Sequence, residues 1–445
     1  MSLGIEIFLT LFYLCLFIVI IFKSSFFRIE GMPEKALPAV LIVKVFLGTM
    51  LAMVYTYYYP DRLKADVFKY FDDSKIMFNA LFEKPLDFFQ MLFGVKNNSA
   101  YFDHYYTLMN NWYRQYESNI YNDSHIIIRF NAIVRLFSFG YFSVHTVFMS
   151  FIALAGQTAL YKFFRKKVAL KAFWIFIAVF LIPSVIFWSS GVLKEGLLFF
   201  GLGFFIYFSD KLSSRFSLLS LLCITFSLIL LAYLKFYILA SLFPLLLTYF
   251  WCIKTGDRKI YLKYGITIFS MIIIGFNFQH FFPDYNLLKI MVNKQNDFYY
   301  LALDQNSGSL FFAEKLKPDF FSILRNVPKA LLNVLIMPHL FMKQSVLSLF
   351  SAFENLLLIL LFLITLFNFK VRGRINSFFL FCLFFTIFTF VLIGLTTPVY
   401  GAIVRYKIPA LPFLVLLLFL CLDSNKLKFK MKFIIKYFLS KTKNK

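Results

Sequence analysis

The chain has 445 residues, 60% hydrophobic and 15% charged, with a mean hydropathy of +0.75. A soluble domain carries roughly a quarter charged residues, so a water-soluble globular protein is excluded. The formal charge of +24 is spread between apolar runs and not gathered into one patch with interleaved aromatics. That argues for membrane topology and against a nucleic-acid partner.

Apolar runs longer than about 18 residues recur from end to end, too long and too continuous for barrel strands. They predict an all-α polytopic integral membrane protein, one transmembrane domain over 1–445 with about eleven transmembrane helices and two long extracytoplasmic loops containing short interfacial helices. In chain order the expected spans are 5–21, 38–58, 142–161, 172–188, a short 197–208, two within 218–252, then 266–282, 354–369, 378–395 and 408–422. At 1.5 Å per residue the 218–252 tract is too long for one crossing, so a tight turn is expected at Leu234-Lys235-Phe236. The segment 126–140, with Arg129 and Arg135 among apolar residues, is expected to lie partly in the interface. The opening run lacks a basic start and a small-residue cleavage site and reads as a retained first helix. The five cysteines show no CxxC spacing, so neither a disulfide framework nor a metal site is indicated.

Charge orients the spans. The loops at 23–37, 162–171, 209–215, 254–263 and 370–374 and the tail 423–445 are all basic and fall on one side, which predicts the cytoplasm. The N-terminus then lies outside, the C-terminus inside, in a cell inner (cytoplasmic) membrane. The tail FKMKFIIKYFLSK has helical spacing suited to anionic headgroups, against the plain alternative of a frayed solvated end. The remaining polar stretches, 59–124, Ser189–Gly196, Lys235, 283–343 and Thr397–Lys407, all face the opposite side.

The 59–124 loop holds nine carboxylates (Asp61, Asp66, Asp72, Asp73, Glu83, Asp87, Asp103, Glu117, Asp123) out of 22 in the chain. A membrane protein has no folding need for so many acids beside a span, so this loop is the expected catalytic region. If 66–77 is helical, Asp66, Tyr70, Asp73 and Met77 share a face at i, i+4, i+7, i+11. A carboxylate and a phenol then meet at the membrane surface, as a general base needs to reach a hydroxyl. The plain alternative is a solvated amphipathic face balanced by Lys64, Lys69 and Lys75.

The pattern Asp66, Tyr70, Ser74, Met77 resembles the first outer-loop motif, D-x-x-x-Y-x-x-x-A/S-x-x-M, of integral-membrane glycosyltransferases of the C-type fold, which use polyprenyl-phosphate sugars. Here the Asp follows the second span, not the first, and Val67 stands where a second acid is common. Ser189-Ser-Gly-Val-Leu-Lys194-Glu195-Gly196 looks like the outer hairpin with a Lys/Arg–Asp/Glu pair in the same enzymes and in related exopolysaccharide and O-antigen polymerase-like proteins. Ionisable groups at that depth are expensive and usually functional, though a self-neutralised helix start is the alternative. Lys235, Arg325, Arg405 and Lys407 are outward cations with no topological reason, suited to a lipid phosphate or to snorkelling. Glu354 and Asn355 read as acceptor contacts or a packing pair.

Taken together, the resemblance, the helical face of the acidic loop and the outward cations give an expected catalytic set of Asp66, Asp73 and Glu195 and a substrate-binding set of Tyr70, Lys194, Lys235, Arg325, Arg405 and Lys407. The implied partners are a polyprenyl-(di)phosphate sugar donor, a glycan or lipid acceptor, and membrane lipids. No cofactor is assigned; a divalent cation bridging Asp66 or Asp73 to the phosphate is left open, without a ligand set. Two alternatives stand: an O-antigen or capsule repeat-unit polymerase leaning on the arginines, and a lipid-linked oligosaccharide transporter, for which the expected repeats and midplane polar path are not seen.

Overall fold

A computed structural model describes residues 2–57, 61–113, 121–283, 285–342, 345–370, 375–423 and 426. Arg372, Arg374 and the basic tail with its expected amphipathic stretch lie outside these residues, as does Glu117. The described residues fold into α-helices without a strand; two isolated backbone bridges, Leu310–Val399 and Phe369–Leu422, are the extended pairings among them.

Among the described residues, eight helices are long and apolar enough to cross a membrane, or up to nine if one bent pair counts as a span, which suits a polytopic membrane protein. They are α1 (Ser2–Lys23), α2 (Ala36–Tyr57), α7 (Phe142–Lys167), α10 (Lys194–Ser214), α11 (Leu218–Thr255), α12 (Ile260–Phe281), α15 (Val346–Phe367) and α16 (Ser377–Thr396). The bent pair is α17 (Tyr400–Tyr406) and α18 (Leu411–Cys421), meeting at 70°. Between α2 and α7 lie α3 (Asp66–Glu83), α4 (Pro85–Phe93), α5 (Asp103–Tyr106) and α6 (Ser124–Ser138). The pieces α8 (Ala172–Phe180) and α9 (Pro183–Trp188) precede α10, and α13 (Leu287–Asp304) and α14 (Phe320–Ile336) lie between α12 and α15.

Several expectations change. The run 172–188 is not one helix: it breaks at Leu181-Ile182, and Pro183 starts α9 because its missing N–H is no loss at a first turn. The following helix is longer than the apolar run suggested, because Lys194, Glu195 and the polar end Ser209–Ser214 join it. The break at Lys235 is present, with non-helical φ −152° and ψ 80°. The chain reverses there. Leu230 and Leu231 approach Gly201, yet Phe243 meets Phe205 and Tyr249 meets Phe163, which a straight continuation past Lys235 would not reach. Both long polar stretches are mostly helical. The segment 126–140 is mostly helical and packs through its two arginines: Arg135 donates to Ser74 Oγ (2.8 Å) and the Phe71 carbonyl (2.6 Å), and Arg129 to the Met91 carbonyl (2.8 Å), while Ile133, Leu136 and Phe137 stay exposed.

The two ends differ chemically. α7 starts with Phe142 against Phe68 and Phe71 of α3 and ends in Arg165-Lys166-Lys167. There Lys166 and Lys167 pair with Asp210 at 2.8 and 2.5 Å, Arg165 with Glu30, and Lys162 reaches the Ser25 carbonyl. α10 joins that basic end to its own start at Lys194, about 32 Å away for 21 residues. Glu6 and Thr10 of α1 bond Ser143 near the start of α7, while Phe419 of α18 meets Trp174, just past the basic end of α7, so the first helix begins and α18 ends at opposite ends of the molecule.

Candidate functional site

The site forms where helix ends converge. Asp66 opens α3, Glu195 lies in the first turn of α10, and Arg405 closes α17. Each charge suits its helix terminus: acids near the positive N-termini, the base near a negative C-terminus. Arg405 Nη1 donates to Asp66 Oδ2 at 2.9 Å and Nε donates to Glu195 Oε1 at 2.6 Å, so one guanidinium bridges carboxylates from two other helices. Its plane lies 5.8 Å from the Trp188 ring.

A second set adjoins it. Lys194 Nζ donates to Asp123 Oδ1 (2.9 Å) and Ser124 Oγ (3.2 Å), and Lys235 Nζ to Asp123 Oδ2 (3.2 Å). Lys194 also sits 4.9 Å from the Tyr70 ring and Lys235 4.3 Å from the Tyr406 ring, both favourable placements for an ammonium. Lys235 reaches the site because the helix breaks at its own backbone. Three carboxylates (Asp66, Asp123, Glu195) thus face three cations (Lys194, Lys235, Arg405), and the network is neutral. Neutrality is what permits burial; a lone charge there would cost several kcal/mol, of order ~5.

Two features give the network reach. The Asp66 side chain is 40% exposed, whereas Glu195 is 2% exposed, so Asp66 is the member a substrate can meet. Partial burial pushes the Asp66 carboxyl up, but the charges of Arg405, Lys194 and Lys69 outweigh it and hold it below the usual value, ionised at neutral pH. Glu195 Oε2 is buried and has no donor among the described residues.

Beneath the network, the stretch 189–199 is entirely buried. Non-helical backbone at membrane depth is tolerated only when enclosed by protein. α2 encloses it: Lys44 Nζ donates to Ser189 Oγ at 2.6 Å, and Gly48 lies so close that an added Cβ would stand 2.5 Å from the Ser190 carbonyl oxygen.

Three expected site residues fall elsewhere. Asp73 does not share the Asp66 site; its two oxygens accept the backbone N–H of Asn110 (2.8 Å) and Asn111 (2.9 Å), stapling the loop to α3. Burial pushes its carboxyl up to about 6 against the pull of those two donors. Lys407 is turned away from Arg405 and donates to Asn355 Oδ1 (2.6 Å) and the Val334 carbonyl (3.1 Å), because α17 ends at Tyr406 and the next residue points across the bend. Arg325 is on an exposed face of α14 and makes none of the ion pairs of the network. Glu354 receives Ser184 N and Oγ, capping α9.

Asp123 was not singled out from sequence. It lies in Asn122-Asp123-Ser124, which looks like an uninformative sequon, and its one signal is an acid placed just before an apolar run. Asn122 fixes it, donating to the Asn111 and Trp112 carbonyls and accepting from Ser124 N. Among the described residues no three His, Cys, Asp or Glu side chains are grouped to hold a metal ion. No protein-family model, no curated protein and no solved structure matches this chain.

Proposed function

We propose that the protein is a membrane glycosyltransferase of cell-surface polysaccharide or glycoconjugate synthesis, acting on the non-cytosolic side of a cytoplasmic membrane with its N-terminus outside. The observation that carries this reading is the Arg405 bridge between Asp66 and Glu195 at a helix-end junction, with Asp66 as its exposed member. The donor is a polyprenyl-(di)phosphate sugar and the acceptor a glycan or lipid hydroxyl. Asp66 takes the acceptor proton while the acceptor oxygen bonds the anomeric carbon and the bond from that carbon to the phosphate oxygen breaks. The phosphate leaves as an anion, opposite Arg405, Lys194 and Lys235. Tyr70 stacks by Lys194 and shapes the same wall.

The placement of a buried Arg at the centre of the network also favours a repeat-unit polymerase as the second reading, in which Arg405 and not Asp66 is indispensable. Replacing Asp66→Asn and Arg405→Ala separately and profiling the lipid-linked glycans of the cell separates the two. Transfer through Asp66 requires that Asp66→Asn abolish the added sugar. A normal profile in Asp66→Asn, with chain growth blocked in an Arg405→Ala protein that remains folded in the membrane at the wild-type level, would favour the polymerase instead.

A further inference from the structure

At the basic end of the molecule, α11 and α12 part around a cleft of about 540 Å3. Three cations line it: Arg258, Lys259 and Lys263. Its other walls are Trp251, Leu262 and Ile266, each more than two-fifths exposed.

Lys263 is the unusual member. It is 8% exposed, and its Nζ donates to Thr255 Oγ1 and the Gly256 carbonyl, both at 2.7 Å and both neutral. No ion pair joins it to a carboxylate among the described residues, and none joins Arg258 or Lys259 either. The neighbouring basic loop is built otherwise: Lys166 and Lys167 both pair with the buried Asp210. Positive charge that merely sets topology stays in water; a buried ammonium with only neutral partners lacks its counter-ion.

The apolar wall continues past the cleft. Leu262, Ile266, Phe269 and Ile273 fall at i, i+4, i+7, i+11 on α12 and are 44–65% exposed, so they form one stripe running from the cations along the helix. A ligand that satisfies both parts carries an anion at one end and a hydrocarbon chain at the other.

We propose that this cleft binds an anionic phospholipid, its headgroup phosphate held by Lys263, Arg258 and Lys259 and an acyl chain lying on the α12 stripe. A free phosphate satisfies the cations but makes no use of the apolar walls Trp251, Leu262 and Ile266 beside them, whereas a lipid fills both parts of the cleft with one molecule. Trp251, with the Lys263 ammonium 5.7 Å from its ring, marks the headgroup level. The site is independent of the chemistry at Arg405.

The test uses the purified full-length protein in nanodiscs of phosphatidylcholine alone or mixed with phosphatidylglycerol, reading retained phosphatidylglycerol by native mass spectrometry and Tm by intrinsic fluorescence. The wild type retains phosphatidylglycerol selectively and gains Tm from it. Lys263→Met, and the exposed pair Arg258→Ala with Lys259→Ala, each weaken retention by about tenfold or more. The control pair Lys23→Ala with Lys171→Ala removes equal charge from the same end and keeps it. Undiminished retention in the Arg258/Lys259 variant overturns the site. So does an equal loss in the control, which would mean diffuse attraction. An equal Tm gain from inorganic phosphate in phosphatidylcholine would mean a free-anion site and overturns the lipid assignment.

Discussion

Asp66 and Asp73 lie seven residues apart on one helix, yet they do opposite work. Asp66 stands at the first turn, two-fifths exposed, and meets an arginine 339 positions away. Asp73 is 1% exposed and holds two backbone N–H groups of its own loop. The same division runs through the acidic segment. Asp72 takes two donors from Arg62, Asp87 takes Tyr101 and Tyr105, and Asp61 caps Leu63, while Asp66 and Asp123 leave the loop for cations on other helices. A dense run of carboxylates is therefore partly a folding device: each acid can accept several donors and so tie together backbone and side chains around the segment's buried apolar residues, Met77, Phe88 and Met91 among them.

The largest test of that contrast is Arg405→Ala. It strands Glu195 without its partner in a buried site and should lower stability by about 3–5 kcal/mol, read as a large fall in Tm in detergent. Arg405→Lys keeps the charge but cannot span both acids, so it should recover part of the stability and little activity. Asp123→Asn leaves Lys194 and Lys235 sharing a neutral acceptor, and a loss of about 3 kcal/mol is expected. Asp73→Ala frees two loop N–H groups and should cost about 2 kcal/mol, appearing first as faster proteolysis near Asn110. Asp66→Asn breaks a partly exposed pair and should cost under about 1 kcal/mol while removing the added sugar. If Asp73→Ala and Asp66→Asn exchange these phenotypes, the division between staple and site is wrong.

The last effect is on pH, where the two acids respond in opposite directions over adjoining windows. The Asp73 carboxyl is raised from 3.8 to about 6, so the folded state binds its proton more tightly. Its contribution to stability is complete below 3.8 and is lost as pH rises to about 6. Asp66 is held below 3.8, so its contribution is present above that pH and lost as pH falls. Asp73→Asn should therefore flatten the decline in Tm between about pH 4 and 6. A decline as steep in the variant as in the wild type would assign it to other groups.

Much of the site was legible because charge in an apolar context is conspicuous. Lys194, Glu195, Lys235 and Arg405 stood out as ionisable groups without a topological role, and Asp66 as an acid at a helix start. Asp123 was hidden by its neighbours, Lys407 by its closeness to Arg405 in sequence, and Asp73 by a helical spacing that matches Asp66 but says nothing of what lies opposite. Adjacent residues on a bent helix pair point in different directions, which no spacing rule records.

Apolar run length, basic loops and the position of Lys235 in an overlong tract follow from local chemistry: hydrocarbon thickness and the cost of charge act on each segment separately. Partnership does not. Whether Arg405 finds Asp66 or Lys407 finds Asn355 depends on packing between helices far apart in the chain, where burial forces every charge to be matched by whichever neighbour the fold brings near.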